Sequence, residues 1–368
     1  MIVYLIEYFF RKTARHVYLA YMYTSNYCLL LLHHYFNMKK FLTALSALAV
    51  LLVANVSAQT LQPINRIAFG SCNNEDLEQP HWEHIMSQNP DLWIWMGDNI
   101  YADTEDTLVL KSCWDKQMSN PGYANLVKTV PVIGTWDDHD YGQNNVGKDN
   151  SIKKASQSMF LDFVGEPKDS PRRKQEGVYT SYTYGPEGKK VKVILLDTRY
   201  NRDDYGRKGD LLGDEQWKWL ENELNTSTAQ INIIGTSIQF IPNRALYELW
   251  KRFPESKKRL DTLIVSSKAS GVLFISGDVH HSEFLKDEIK GREYPIYEFT
   301  SSGLTHYNKI YHAFNKRRTI GKVFFGKAYG IIDFDWGPQP AVSFKIIDEF
   351  NNVVREHKML MTDLGVKF

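Results

Sequence analysis

Residues 272–281 read Val-Leu-Phe-Ile-Ser-Gly-Asp-Val-His-His, and the rest of the chain is best read outward from them. Val272–Ser276 is a short apolar run of the kind that forms a fully buried strand. Gly277-Asp278 ends it, and His280 follows Asp278 by two residues. His281 points elsewhere if the segment is extended, because successive side chains alternate.

The same arrangement recurs upstream. Ile64–Phe69 ends in Gly70-Ser71-Cys72, Asp91–Met96 in Gly97-Asp98, and Val130–Trp136 in Asp137-Asp138-His139-Asp140. Val191–Leu196 ends in Asp197-Thr198-Arg199, and Ile231–Ile234 in Gly235-Thr236. Amphipathic stretches lie between them, such as Asp214–Leu224, where Trp217, Leu220 and Leu224 fall at helical spacing. Alternating strands and helices predict an α/β fold around a largely buried sheet. Ala328–Trp336, Val342–Ile347 and Val353–Met359 predict a closing β-meander with a turn at Gly337-Pro338. With no internal repeat, low-complexity tract or linker, one catalytic domain is the simplest organisation.

In open α/β sheets, ligands bind beyond the carboxyl ends of the strands. One Gly-Asp there is ordinary turn chemistry, since Asp caps nearby backbone amides. Four ends bearing Cys72, Asp98, Asp137-Asp138-His139-Asp140 and Asp278-Val279-His280-His281 are more than turns require. Carboxylates crowded in a cleft repel unless cations neutralise them, so convergence of these ends implies metal.

Bulk composition narrows the partners. The 368 residues are 43% hydrophobic and 24% charged, which is globular usage and excludes a disordered chain. With 44 basic against 43 acidic residues, the charge of +1 argues against a nucleic-acid-binding surface. At the N-terminus, Met38-Lys39-Lys40 precedes the apolar run Phe41–Val53 and the small-residue site Val56-Ser57-Ala58. That pattern is a signal peptide, too short to span a bilayer. We expect export to begin at Met38, with cleavage after Ala58 and residues 1–37 a non-native extension. The domain would then run over 59–368, periplasmic or extracellular, with no stable membrane anchor. Removal of residues 1–58 takes away five basic residues and one acidic, leaving 39 against 42 and a charge of −3. Only Cys72 and Cys113 remain, too few for a disulfide scaffold, although one bridge between them is an open alternative.

The motifs Phe69-Gly70-Ser71-Cys72, Gly97-Asp98-Asn99-Ile100-Tyr101, Trp136-Asp137-Asp138-His139-Asp140-Tyr141-Gly142 and Gly277-Asp278-Val279-His280-His281 together resemble the alkaline phosphatase D (PhoD-like) family of metallophosphoesterases. Leu195–Arg199 and Leu212–Trp217 are similar to it as well, and the likeness runs from about Ile67 to Gly303. The resemblance implies a four-layer α/β/β/α sandwich with the site on loops at one edge. We expect no counterpart, between Gln59 and the first strand, of the N-terminal β-sandwich found in larger members.

It also implies a ligand set. Asp98 resembles the metal-bridging carboxylate, Tyr101 a phenolate for ferric iron, and Cys72 a thiolate to iron. Asp138 takes the place of the superfamily's metal-binding asparagine, and Asp278 and His280 take two further ligand positions. His139 should sit near the leaving oxygen as proton donor or phosphoryl contact, with Asp137 or Asp140 orienting it. Arg199 is a candidate phosphate clamp, since guanidinium presents paired donors. Thiolate and phenolate suit iron while extra carboxylates suit calcium, zinc or manganese being the alternatives. The implied activity is hydrolysis of phosphate mono- or diesters by in-line attack of metal-activated hydroxide. A phospholipid-directed diesterase and a metal-stabilised binding protein are the competing readings.

Overall fold

Strand periodicity decides which side chains face which layer. The computed structural model describes residues 62–243, 248–308 and 319–368, which belong to one compact unit, Gln62–Phe368. The expected signal segment and N-terminal extension lie outside the described residues.

Two mixed sheets form. The six-stranded sheet has the order β13-β12-β11-β1-β2-β3, with β1 Arg66–Gly70, β2 Leu92–Met96, β3 Val132–Thr135, β11 Ala328–Asp335, β12 Ala341–Asp348 and β13 Val353–Leu360. The seven-stranded sheet has the order β10-β8-β9-β7-β6-β5-β4. Its strands are β4 Thr180–Tyr184, β5 Val191–Leu195, β6 Ile231–Thr236, β7 Val272–Ser276, β8 Ser282–Asp287, β9 Ile296–Ser301 and β10 Thr319–Phe324. β1, β2 and β3 run parallel, as do β5, β6, β7 and β9. The expected meander is β11 to β13, paired antiparallel.

Alternate residues fill the space between the sheets. Ile67, Phe69, Ile94 and Met96 from one meet Val193, Leu195, Ile233, Leu273, Ile275 and Phe299 from the other. The opposite faces carry helices. Trp93 and Trp95 of β2 pack under α1 (His81–Ser87), α2 (Thr107–Ser119), α3 (Pro121–Leu126) and, beyond the short α4 (Asp138–Tyr141), α5 (Lys153–Phe163). Ile194, Ile234 and Phe274 pack under α6 (Asp214–Asn225) and α7 (Pro254–Ser266). This is the expected α/β/β/α sandwich. Trp82, Trp93 and Trp95 meet pairwise at ring-centroid distances of 5.2, 5.2 and 5.3 Å. Each such pair adds about 0.5–1.5 kcal/mol beyond its buried area.

Strands β4, β8, β9 and β10 were not legible in the sequence. In β9 the reason is Glu298, fully buried in an otherwise strand-like run. Its carboxylate accepts the backbone N–H groups of Phe240 (2.9 Å) and Ile241 (2.7 Å), which offsets the cost of burying it. Among the described residues, no helix is long and apolar enough to cross a membrane.

Candidate metal centre

The parallel strands of both sheets deliver their carboxyl ends to one place. Beyond β1 and β2, Cys72 N–H donates to the Gly97 carbonyl (3.4 Å) and Asn73 N–H to the Asp98 carbonyl (2.8 Å). A Cβ on Gly277, after β7, would stand 2.5 Å from Ser71 Oγ, so the two sheets touch at this edge. Gly97 is required by both conformation and space: its φ is +92°, and a Cβ would meet that of Asp137 at 2.5 Å.

Backbone conformation marks the site. Cys72 (φ 57°), Asp98 (49°), Asp278 (70°) and His280 (56°) all occupy the left-handed region, as do Asp103 (44°) and Asn145 (62°). Asp, Asn and His enter this region more readily than most residues, whereas Cys72 has no such preference and its left-handed backbone costs on the order of 1–3 kcal/mol. The fold holds these residues there to aim their side chains.

Those side chains converge. Cys72 Sγ is 3.3 Å from Asp98 Oδ2, and Tyr101 Oη is 3.3 Å from the same oxygen and 3.2 Å from His280 Nε2. One donor atom each from Cys72, Asp98 and His280 lie within 4.8 Å of one another, as do those of Asp98, Asp137, Asp138 and Asp278. Asp98 is shared by both groups. The six residues expected as ligands are therefore brought together, and Asp137 joins them.

Electrostatically the cluster is incomplete by itself. Burial, reinforced by Cys72 and neighbouring carboxylates, pushes the Asp98 carboxyl well above its usual range. Burial raises Asp278 in the same way, with Asp137 and Asp138 adding to it. Burial works to raise Asp138 too, but the Arg199 and His139 charges outweigh it and hold it low. Asp98 Oδ1 and Asp137 Oδ2 are buried without a hydrogen-bond partner. Orphaned carboxylate oxygens beside a thiol, a phenol and an imidazole form a donor set that fits cations. Burial lowers His280 to about 4, which leaves its imidazole neutral and able to ligate.

His139, the second residue of α4, lies at the mouth of the site, its side chain 19% exposed. Neither Asp137 nor Asp140 orients it. Nδ1 instead lies 2.7 Å from Asp103 Oδ1, on the loop after Asp98. Burial works to lower His139, but the Asp103 bond and the charges of Asp138 and Asp103 raise it to about 9. Asp140 is buried and braces the loops, accepting from Asp137 N–H (2.6 Å) and Asn99 N–H (3.1 Å).

Arg199 departs from the expected phosphate clamp and from a surface salt bridge alike. Its side chain is fully buried, with Nε donating to Asp137 Oδ1 (2.5 Å) and Nη2 lying 2.5 Å from Glu248 Oε2. A buried guanidinium needs carboxylates around it, and these two hold it behind the cluster. It reaches the site through Asp137, whose Oδ1 also accepts from Ser237 Oγ (2.6 Å). Cys72 and Cys113 are free thiols, so the open disulfide alternative is not realised. His281 turns away from the cluster, as expected, with Nδ1 2.9 Å from the Val279 carbonyl and Nε2 3.3 Å from Glu283.

The family model for PhoD-like phosphatases matches residues 67–322. The chain belongs to the PhoD-like phosphatase family. Alkaline phosphatase D of Bacillus subtilis (strain 168) is 25% identical in an alignment 303 positions long that covers 66% of this chain and 52% of that protein. The chain thus spans about half the length of this curated relative. A solved PhoD structure superposes with a TM-score of 0.65 at 19% identity, covering 82% of this chain and 69% of that one. A dimetal phosphatase from Danio rerio gives 0.52 at 10% identity, covering 82% of this chain and 100% of that one. GAP50, the anchor in the inner membrane complex of Plasmodium, gives 0.53 at 13%, covering 81% and 89%. These structural likenesses speak for the fold.

Two residues of this PhoD-like site escaped the sequence reading. Asp103 lies five positions after Asp98, on the same loop, and that proximity was the available signal. His306 packs its ring 4.6 Å from that of His280 and 4.9 Å from that of Tyr101. Its Nδ1 is anchored 3.0 Å from Thr305 Oγ1. The local sequence Gly303-Leu304-Thr305-His306 carries no ligand spacing that would have singled it out.

Proposed function

We propose that this chain is an exported, metal-dependent hydrolase of phosphate mono- or diesters. The observation that carries the reading is the shared Asp98. Its carboxylate lies within ligand range of Cys72 and His280 on one side and of Asp137, Asp138 and Asp278 on the other. Cys72, Asp98, Tyr101 and His280 would hold one cation, and Asp98, Asp138 and Asp278 a second. The sulfur and phenol donors favour iron in the first position and the carboxylates favour calcium in the second. When bound, the cations supply Lewis acidity that activates water and neutralises charge developing on the phosphoryl group.

The protein's own groups do the rest. His139, with Nδ1 held by Asp103, keeps Nε2 to donate a proton to the leaving oxygen. Arg199 fixes Asp137 against the cluster and offsets part of its negative charge. Export rests on the Met38–Ala58 pattern. The test is elemental analysis of protein purified without chelator, together with turnover of p-nitrophenyl phosphate and bis-p-nitrophenyl phosphate. Bound metal with chelator-sensitive turnover supports the reading; metal-free protein without turnover on either ester removes it.

A further inference from the structure

Ser302 sits between two of the candidate ligands. Its side chain is fully buried, and its hydroxyl accepts the backbone N–H of His280 at 2.7 Å. The same Oγ is 3.0 Å from Cys72 Sγ. A serine hydroxyl has one proton and two lone pairs. The His280 amide takes a lone pair, so the proton remains available for the sulfur.

The other neighbours of Sγ serve a thiolate less well: the Tyr101 hydroxyl also reaches the sulfur but has Asp98 Oδ2 at 3.3 Å and His280 Nε2 at 3.2 Å competing for its proton. Asp98 Oδ2 (3.3 Å) and the Asp278 carbonyl (3.7 Å) are acceptors. Ser71 Oγ stands at 3.7 Å and has the Ser301 carbonyl at 3.2 Å for its proton. The segment that follows Ser302 braces the same two ligands. Gly303 and Leu304 N–H donate to the Ser71 carbonyl (3.2 and 3.1 Å), Thr305 N–H to the Cys72 carbonyl (3.3 Å), and Asn308 N–H to the His280 carbonyl (3.0 Å).

We propose that Ser302 is a positioning residue that donates its hydroxyl proton to the Cys72 thiolate while fixing the His280 backbone, and so tunes the sulfur as a ligand. The assignment rests on the reading of Cys72 as a metal ligand. Hydrogen bonds to a ligating sulfur draw electron density from it and stabilise it.

Cobalt(II), added alone to the metal-free full chain, is the probe. Wild type should show a thiolate-to-cobalt charge-transfer band that Cys72→Ser abolishes. Ser302→Ala should move that band to longer wavelength and weaken cobalt binding by about tenfold or more. Ser71→Ala should leave the band in place. In wild type, independently of any variant's folding, the cobalt–sulfur stretch in the resonance Raman spectrum should shift on exchange into D2O. A Cys72-dependent band unmoved in folded Ser302→Ala, or a stretch insensitive to D2O, overturns the role of Ser302 alone. A wild-type spectrum with no Cys72-dependent band overturns the ligand reading and the assignment with it.

Discussion

Asp103 Oδ1 lies 2.7 Å from Nδ1 of His139, joining the loop that follows Asp98 to the first turn of α4. Both residues are at the mouth of the cluster, and the bond fixes the ring with Nε2 as its free nitrogen. Asp103→Asn should therefore lower kcat, by less than the roughly 10²–10⁴-fold loss expected for His139→Ala. Steady-state kinetics on one activated ester will rank the two. Nitrogen NMR of the imidazole should show the ring's tautomer or protonation state changed in Asp103→Asn, and an unchanged spectrum would separate Asp103 from His139.

Asp98→Asn removes the carboxylate shared by both ligand groups. It should reduce turnover by more than about a hundredfold and lower metal content in elemental analysis. The left-handed backbone at this position, φ 49°, is one that Asn tolerates well, so the thermal unfolding midpoint of the metal-free protein should fall little, if at all. Wild-type turnover in a folded variant would place the chemistry elsewhere.

For Arg199→Ala the expected loss is in stability first. The substitution strands Asp137 as a buried carboxylate without its cation, while Glu248 loses one of its two guanidinium partners and keeps Arg202. Removing one member of such a group costs on the order of 3–5 kcal/mol. Urea denaturation should show that loss, whereas a direct phosphate clamp would leave stability alone and raise KM.

His81 provides a pH test away from the centre. It is 4% exposed, its Nε2 has no hydrogen-bond partner, and its ring lies 4.5 Å from that of Trp82. Burial, with His84 and Lys327 adding repulsion, lowers its pKa from 6.5 to about 3. The unfolded chain therefore binds a proton that the folded one refuses between those values. The stability held above pH 6.5 is lost as pH falls towards 3, at up to about 1.4 kcal/mol per pH unit. Unfolding free energies of wild type and His81→Gln, measured across that window, should differ in slope, with the variant flatter.

Much of the architecture was legible because strand burial is a local property. Leu92–Met96 and Val272–Ser276 are uninterrupted runs with no polar side chain large enough to disturb them, and each stops at Gly-Asp. β9 was hidden for the opposite reason: Glu298 breaks the pattern, and the backbone amides that accommodate it come from residues 240 and 241. Arg199 shows the same limit at the site. Its place after a strand suggested an exposed clamp, but Asp137 and Glu248 draw it into the interior.

By itself, the sequence determined that short uninterrupted apolar runs alternating with stretches of helical spacing would form an α/β core, and that Cys72, Asp98, Asp138, Asp278 and His280 would stand where strands end. Tertiary structure alone decided what those residues face. Asp103 meets His139 across 36 positions and Ser302 meets Cys72 across 230, through loops whose left-handed turn at Cys72 runs against local preference. Burial follows from which residues are apolar, whereas a hydrogen bond between distant loops requires both backbones to be fixed within a fraction of an ångström by the packing of the two sheets beneath them.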